Sequence, residues 1–316
     1  MICLPQPSWD IFCRVVDNYG DIGVCWRLAR QLVAEHAIGP RLWVDDLQAA
    51  QKLIPQLDPQ LQTQQIEGIT LSAWRPDTAF TEVTTIVIET FSCELPAAYM
   101  AHMQPDTVWI NLEYLSAEPW VEGFHARNSK YGSLTRHFFF PGFTQATGGL
   151  LREHGLTADR QANHTQQHDW LQQLHTAGDL HGDTLTTSLF CYPHAPVGEL
   201  LSAMAASGRK TSCYVPATGI LPVIAAFFGK TAITAGDTLQ LDDLSLHVVP
   251  FLSQADYDRL LAICDINFVR GEDSWIRAVW AKKPFIWQPY LQAEDAHLAK
   301  LKAFLNLYYT DCSEAA

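Results

Sequence analysis

Asp17-Asn18-Tyr19-Gly20-Asp21-Ile22-Gly23 follows the strand-like run Trp9–Val16 and opens the helix-like run Val24–Ala34. Arg270-Gly271-Glu272-Asp273-Ser274 repeats the pattern late in the chain, after the strand-like run Ile266–Val269 and before the helix-like run Trp275–Ala281. Both read as strand–turn–helix corners with glycine and acidic residues at the bend. In open α/β sheets such corners sit at the carboxyl ends of strands, where ligands bind. One corner in each half of the chain predicts two domains facing across a cleft.

The rest of the pattern agrees. Ile22, Cys25, Trp26, Ala29, Leu32 and Val33 fall at helical spacing after the first corner. Arg41–Val44, Thr84–Glu89 and Thr107–Asn111 read as strands, Leu95–Met103 as a helix, and Arg136–Phe140 as a last strand of this half. In the second half Thr187–Tyr192, Thr211–Val215, Leu246–Phe251 and Phe285–Gln288 read as further strands. Gly198–Ala206, Leu221–Phe228 and Gln254–Cys264 read as helices between them. Such alternation predicts parallel, doubly wound sheets. From Thr147 to Asp183 the pattern breaks and Gln and His accumulate, so this is the expected interdomain region, with Asp169–Leu174 a possible helix in it. The division reads as one Rossmann-like domain over residues 1–155 and another over 156–316.

Composition excludes several classes. With 316 residues, 48% of them hydrophobic and 17% charged, the chain reads as a globular protein of two ordinary domains. A formal charge of -13 argues against a general nucleic-acid binder, which needs a basic footprint. None of the 8 cysteines forms a CxxC pair, so neither a zinc ribbon nor a dithiol redox site is indicated. The pair His164 and His168 lacks a third ligand at a metal-binding spacing and reads as part of a solvated polar helix. No apolar stretch reaches membrane-spanning length, and Met1–Asp10 lacks the regions of a signal peptide. The cytoplasm is the expected compartment, and no metal or cofactor is expected.

The first corner is not the GxGxxG dinucleotide fingerprint, because Asn18 takes its first glycine position. Two carboxylates there would repel a pyrophosphate and suit a base or a cationic substrate. A plain structural alternative is that Asp21 caps the following helix. The second corner opens a helix whose N–H groups and dipole favour anions. Arg270 would meet a diphosphate there, and Ser274 a phosphate oxygen. Glu272 needs another task, orienting Arg270 or binding hydroxyls. The plain alternative is an acidic first turn capped by Asp273 or Ser274. Asn111–Glu118 follows a strand and offers Glu113 and Tyr114 to a sugar or a cationic side chain. Phe190, Tyr192 and Phe251, with the amide of Gln254, would stack and read a nucleobase.

Five stretches carry a resemblance over nearly the whole chain. They are Phe12–Gly23 (FCRVVDNYGDIG), Val87–Leu95 (VIETFSCEL), Trp109–Glu118 (WINLEYLSAE), Phe140–Leu150 (FPGFTQATGGL) and Phe268–Pro284 (FVRGEDSWIRAVWAKKP). Together they resemble the bacterial elongation factor P arginine rhamnosyltransferases. The resemblance implies an α/β GT-B fold and a donor, dTDP-β-L-rhamnose. The implied acceptor is the guanidinium of a loop-tip arginine on folded elongation factor P. The implied transfer inverts the anomeric centre without a metal.

It also implies roles. Asp17, Asp21 and Glu272 match the family's critical acids. Phe190, Tyr192, Phe251, Gln254, Arg270, Asp273, Ser274 and Tyr290 match its nucleotide-binding positions, and Tyr19 is placed on the donor side with them. Asp17, Glu113 and Tyr114 would hold the cationic acceptor. Residues 1–155 would then be the acceptor-binding domain and 156–316 the nucleotide-sugar domain. The chain stops soon after the apolar run Leu298–Tyr308, where family members continue through further helices, so a shortened C-terminus is expected. Two other readings stay open: a GT-B enzyme with a small-molecule or glycan acceptor, and a silent module that binds a nucleotide or a protein.

Overall fold

The computed structural model describes residues 9–17, 19–157, 170–171 and 184–310. The chain clusters into two compact units, Met1–Glu153 with Pro289–Ala316, and His154–Gln288. The sequence reading ran the second domain to residue 316. By internal contacts the segment from Pro289 goes with the first unit, where buried Phe304 packs on Phe143 at 5.3 Å between ring centroids. Residues 158–169, and with them His164 and His168, lie outside the described residues. Of Asp169–Leu174, Trp170 and Leu171 are described, helical and buried.

The first unit holds an eight-stranded sheet in the order β3-β4-β2-β1-β5-β6-β8-β7. Its strands are β1 Trp9–Cys13, β2 Arg41–Val44, β3 Thr63–Ile66, β4 Ile69–Ala73, β5 Ile86–Thr90, β6 Val108–Leu112, β7 Asn128–Tyr131 and β8 Leu134–Phe139. β3 and β7 are antiparallel additions at the two edges; every other pairing is parallel. Helix α1, Gly20–His36, follows β1, and α2, Leu47–Leu53, follows β2. Ile22, Cys25, Ala29 and Leu32 of α1 are buried in one core with Ile11, Cys13, Leu42 and Val44 of the strands. Short helices α3, Ala97–Met100, and α4, Trp120–Phe124, complete this part.

The second unit holds a six-stranded sheet in the order β11-β12-β10-β9-β13-β14. Its elements run β9 Leu185–Leu189, α5 Val197–Ala205, β10 Thr211–Pro216, α6 Leu221–Phe227, β11 Thr238–Leu241, β12 Leu244–Val249, α7 Gln254–Ile263, β13 Ile266–Arg270, α8 Asp273–Ala281 and β14 Phe285–Gln288. Among the described residues, β11 pairs antiparallel with β12 and the other pairings are parallel. Helix α9, Ala296–Tyr308, belongs to the returning segment of the first unit.

Both sheets are doubly wound, and each has one place where successive strands change direction of travel across the sheet. In the first unit that point is β1/β5, and in the second it is β9/β13. Loops leaving the carboxyl ends of such neighbours diverge to opposite faces and leave a crevice, the usual ligand position in this architecture. Among the described residues, no helix is long and apolar enough to cross a membrane.

Candidate active site

At the β1/β5 point of the first unit, the corner closes as a tight turn in which Gly20 N–H donates to the Asp17 carbonyl at 2.7 Å. Gly20 leaves room for the Asp17 side chain: a Cβ there would lie 2.9 Å from Asp17 Oδ2, which would have to move aside. Asp21 is buried in the first turn of α1, and Tyr19 is the N-cap residue. The capping alternative is therefore corrected. Asp21 does not cap its own helix; its Oδ2 reaches back to accept the main-chain N–H groups of Val16 (2.7 Å) and Asp17 (2.8 Å). Its Oδ1 accepts the hydroxyl of Tyr114 at 3.1 Å. Burial pushes the Asp21 carboxyl above the ordinary range; the two main-chain N–H groups and Tyr114 pull it back, and the nearby Asp17 charge adds to the rise. The result is a fixed carboxylate that holds a proton more readily than a solvated one. Asn18 lies outside the described residues.

Tyr114 is itself held. Its ring stacks on Phe91 with centroids 4.3 Å apart and planes at 13°, and Lys300 Nζ of α9 sits 5.5 Å from its centroid. Glu113 accepts from Asn111 Nδ2 at 2.5 Å and from the Ser92 hydroxyl at 2.9 Å. So three of the first-unit candidates come together here, with Glu113 in an adjoining network. Tyr19 has Lys52 Nζ 5.8 Å from its ring centroid.

At the β9/β13 point of the second unit, Phe190 and Tyr192 leave β9 and the second corner leaves β13. The Arg270 guanidinium carbon lies 4.5 Å from the ring centroids of both Phe190 and Tyr192, and Nη1 donates to the Cys191 carbonyl at 3.2 Å. The two rings expected to stack a base thus each present a face to Arg270, a cation–π arrangement. Gly271 takes φ of 64°, the left-handed region that an L side chain resists. Glu272 is the N-cap residue of α8 and makes no side-chain cap bond, so neither Asp273 nor Ser274 caps that helix. The Ser274 hydroxyl donates to the Arg270 carbonyl and accepts the Arg270 N–H, the latter at 3.2 Å. It would have to release that carbonyl to donate to a phosphate.

Gln254 opens α7, buried, with Nε2 3.3 Å from Asp273 Oδ2. Gln254, Asp273, Ser274, Arg270 and the two rings form one cluster, and Phe251 lies on the loop before α7. Tyr290 is 44% exposed and belongs to the segment that goes with the first unit.

The sequence reading missed several neighbours. Phe91, Ser92 and Asn111 support the first cluster; the stretch containing Phe91 was recognised, but nothing in it marked the ring as a partner of Tyr114. Tyr257 packs edge-on to Phe190 at 5.4 Å, and Gln288 Oε1 accepts the Tyr192 N–H at 2.8 Å. Among the described residues, no group of three or more His, Cys, Asp or Glu is arranged to hold a metal ion.

Residues 9–316 match the family described as Elongation-Factor P (EF-P) rhamnosyltransferase EarP. A protein-arginine rhamnosyltransferase of Pseudomonas aeruginosa is 45% identical over 308 residues, covering 95% of this chain and 81% of that protein. Its counterpart from Pseudomonas putida is 45% identical over 319 residues, covering 98% and 84%. A solved structure described as the structural basis for EarP-mediated arginine glycosylation of translation elongation factor EF-P is 35% identical. It superposes with a TM-score of 0.66, covering 98% of this chain and 80% of that one. A glycotransferase of kitacinnamycin, 11% identical with a TM-score of 0.52 over 96% of this chain and 85% of that one, shares the fold alone. Two Rossmann-like units with these likenesses make the GT-B glycosyltransferase fold that the sequence reading expected.

Proposed function

The chain belongs to the EF-P rhamnosyltransferase EarP family, and from that membership we propose that it moves L-rhamnose from dTDP-β-L-rhamnose to one arginine guanidinium of elongation factor P. The observation that carries the reading is Asp21. It is a buried carboxylate at a topological switch point, anchored through one oxygen and raised in basicity. Arginine stays protonated in ordinary protein surroundings and is a poor nucleophile. In the proposed step a terminal guanidinium nitrogen attacks the anomeric carbon. The bond from that carbon to the diphosphate oxygen breaks, and dTDP leaves with the electron pair. The attacking nitrogen gives its proton to Asp21, so the product guanidinium keeps a single positive charge. Displacement from the face opposite the leaving group turns the β donor into an α product.

Asp17, Glu113 and Tyr114 surround the incoming cation. Arg270 and the N-terminus of α8 meet the charge that develops on the departing diphosphate, where preorganised donors act most strongly. Glu272 takes the sugar hydroxyls. Phe190, Tyr192, Phe251, Gln254, Asp273, Ser274 and Tyr290 serve the nucleotide, with Tyr19 also on the donor side. The reaction uses no metal and no cofactor beyond the donor, and runs in the cytoplasm.

Intact-mass analysis of elongation factor P after incubation with dTDP-rhamnose and this protein, with and without EDTA, is the test. The expected result is one deoxyhexose on one arginine, unchanged by EDTA. No addition sinks the reading. Equal specificity constants for free arginine and for the intact protein would favour a small-molecule acceptor. Donor binding without any transfer would favour a silent module.

A further inference from the structure

Between β5 and α3 the chain does something costly. Phe91, Ser92 and Glu94 all take left-handed backbone, with φ of 55°, 52° and 59°, and none is glycine. Such conformations persist only when their surroundings over-determine them, and they mark positions where a precise arrangement is needed. The surroundings here are explicit. Buried Glu89 accepts the Glu94 N–H at 3.0 Å. Asn111, fully buried, accepts the Ser92 N–H at 3.2 Å and donates to the Ser92 hydroxyl at 3.0 Å. Phe91 N–H donates to the Leu112 carbonyl at 2.6 Å. The loop is thus tied down at both ends and in the middle to β5 and β6.

The outcome of that geometry is the placement of one ring. Phe91 lies flat on Tyr114 at 4.3 Å, and Tyr114 donates to Asp21 Oδ1, the oxygen that the main chain does not hold. We infer that Phe91 is a positioning residue for transfer: the strained Thr90–Glu94 loop holds its ring against Tyr114, and so fixes the hydroxyl that orients the Asp21 carboxylate. The inference rests on the reading of Asp21 as the base. A hydroxyl that swings away would leave Oδ1 without its guide and let the carboxylate turn from the acceptor nitrogen. Misplacement of about 1 Å in such a group costs on the order of a hundredfold in rate. A flexible glycine loop would not hold the ring in one place, which accounts for non-glycine residues in this backbone.

A change at Phe91 replaces none of the other titratable groups around Asp21. They are the Asp17 carboxylate, the Cys13 thiol, Lys300 near the Tyr114 ring, and Glu113 beyond Asn111. A shift in Asp21 titration therefore reports the Tyr114 bond. Losing a hydrogen bond to the charged form raises a carboxyl pKa.

The test compares Phe91→Leu, Phe91→Tyr, Tyr114→Phe and the double variant Phe91→Leu/Tyr114→Phe in the full chain. Phe91→Leu is expected to lower kcat by roughly tenfold or more while leaving KM for the donor within about twofold. The acid limb of its pH–rate profile should move to higher pH. Phe91→Tyr, which keeps the stacked ring, should recover most of the rate. The double variant should lose no more than Tyr114→Phe alone, because both changes cut the same connection. A second arm needs no transfer: the Asp21 side-chain carbon is titrated by NMR without substrates, and Phe91→Leu should move its midpoint upward. An unmoved midpoint, or fully additive losses, overturns the inference whatever the acceptor proves to be. If the midpoint moves while wild-type protein fails to modify arginine, the positioning stands and the assigned reaction falls. Thermal melts separate unfolding from mispositioning, and a folded Phe91→Leu with wild-type kcat also refutes the idea.

Discussion

The β1/β5 point of the first unit and the β9/β13 point of the second are the same topological device fitted with opposite charge. At the first, aromatic rings steady a carboxylate: Phe91 stacks on Tyr114, which donates to Asp21. At the second, aromatic rings steady a cation: Phe190 and Tyr192 each face Arg270. Their glycines also differ in purpose. Gly20 makes room for the Asp17 carboxylate, whereas Gly271 supplies a left-handed φ. One backbone corner thus presents a fixed carboxylate or a fixed guanidinium according to the side chains on it. On the proposed function, the difference fits acceptor chemistry in the first unit and donor chemistry in the second.

The sharpest way to break this division is Asp21→Asn. The amide oxygen can still accept from Val16 and Asp17, so the corner should survive, but it cannot take a proton. Transfer should fall by about 10²–10⁴-fold. Turnover within about threefold of wild type would remove Asp21 as the base. Because burial raises the carboxyl pKa in the folded chain, the neutral amide should leave stability at neutral pH unchanged or higher.

Gly20→Ala sharpens the comparison of the two glycines. The new methyl group crowds only the tip of the Asp17 side chain, which moves aside. Stability should stay within about 1 kcal/mol, since alanine also favours the helix, while transfer drops roughly tenfold through the displaced carboxylate. Gly271→Ala should behave differently, losing about 1–2 kcal/mol of stability because a Cβ is disfavoured at its φ. Equal stability losses in denaturant melts of the two variants would erase the distinction.

How much of this was legible beforehand depends on the kind of information needed. Arg41–Val44 and Phe285–Gln288 were readable to the residue, because short apolar runs between turn signals define buried parallel strands. The hairpin of β3 and β4 was not, since Thr63–Ile66 is mostly polar on its exposed edge. Both corners were visible, as glycine and acids after a strand are local features. The bond from Tyr114 to Asp21 spans 93 positions and has no local mark. Nor does the left-handed loop at Phe91, where the usual glycine signal is missing. The capping alternative for Asp21 failed for a related reason: sequence places a carboxylate in a first turn but does not say which N–H groups it will find.

Acid should pull the two units in opposite directions. Burial raises the carboxyls of Asp21 and Glu89 in the first unit, so each binds protons more tightly folded than unfolded. Their contribution to stability grows as pH falls toward the ordinary values of 3.8 and 4.5. Burial lowers His247 in the second unit, so the unfolded chain binds its proton first, and stability is lost as pH drops below 6.5. Hydrogen exchange, corrected for intrinsic rates, should show the second unit loosening first between neutral pH and pH about 5. His247→Gln should flatten that response; an unchanged slope would assign it elsewhere.

The smallest effect concerns the far ends of the two corner helices. Ala37 and Lys282 end α1 and α8 in left-handed backbone, with φ of 53° and 55°. Glycine at either position should add about 0.5–1 kcal/mol to stability without changing transfer. A loss of stability in either variant would mean that the side chain, not the backbone, secures that helix end.

The division of labour itself is tested most directly by calorimetric titration of dTDP into wild-type protein, Asp21→Asn and Arg270→Ala, side by side. The account predicts that Asp21→Asn binds dTDP within about twofold of wild type, and that Arg270→Ala binds it at least about tenfold more weakly, the loss of one charge-assisted contact. Undiminished affinity in Arg270→Ala, or a comparable loss in Asp21→Asn, would contradict it.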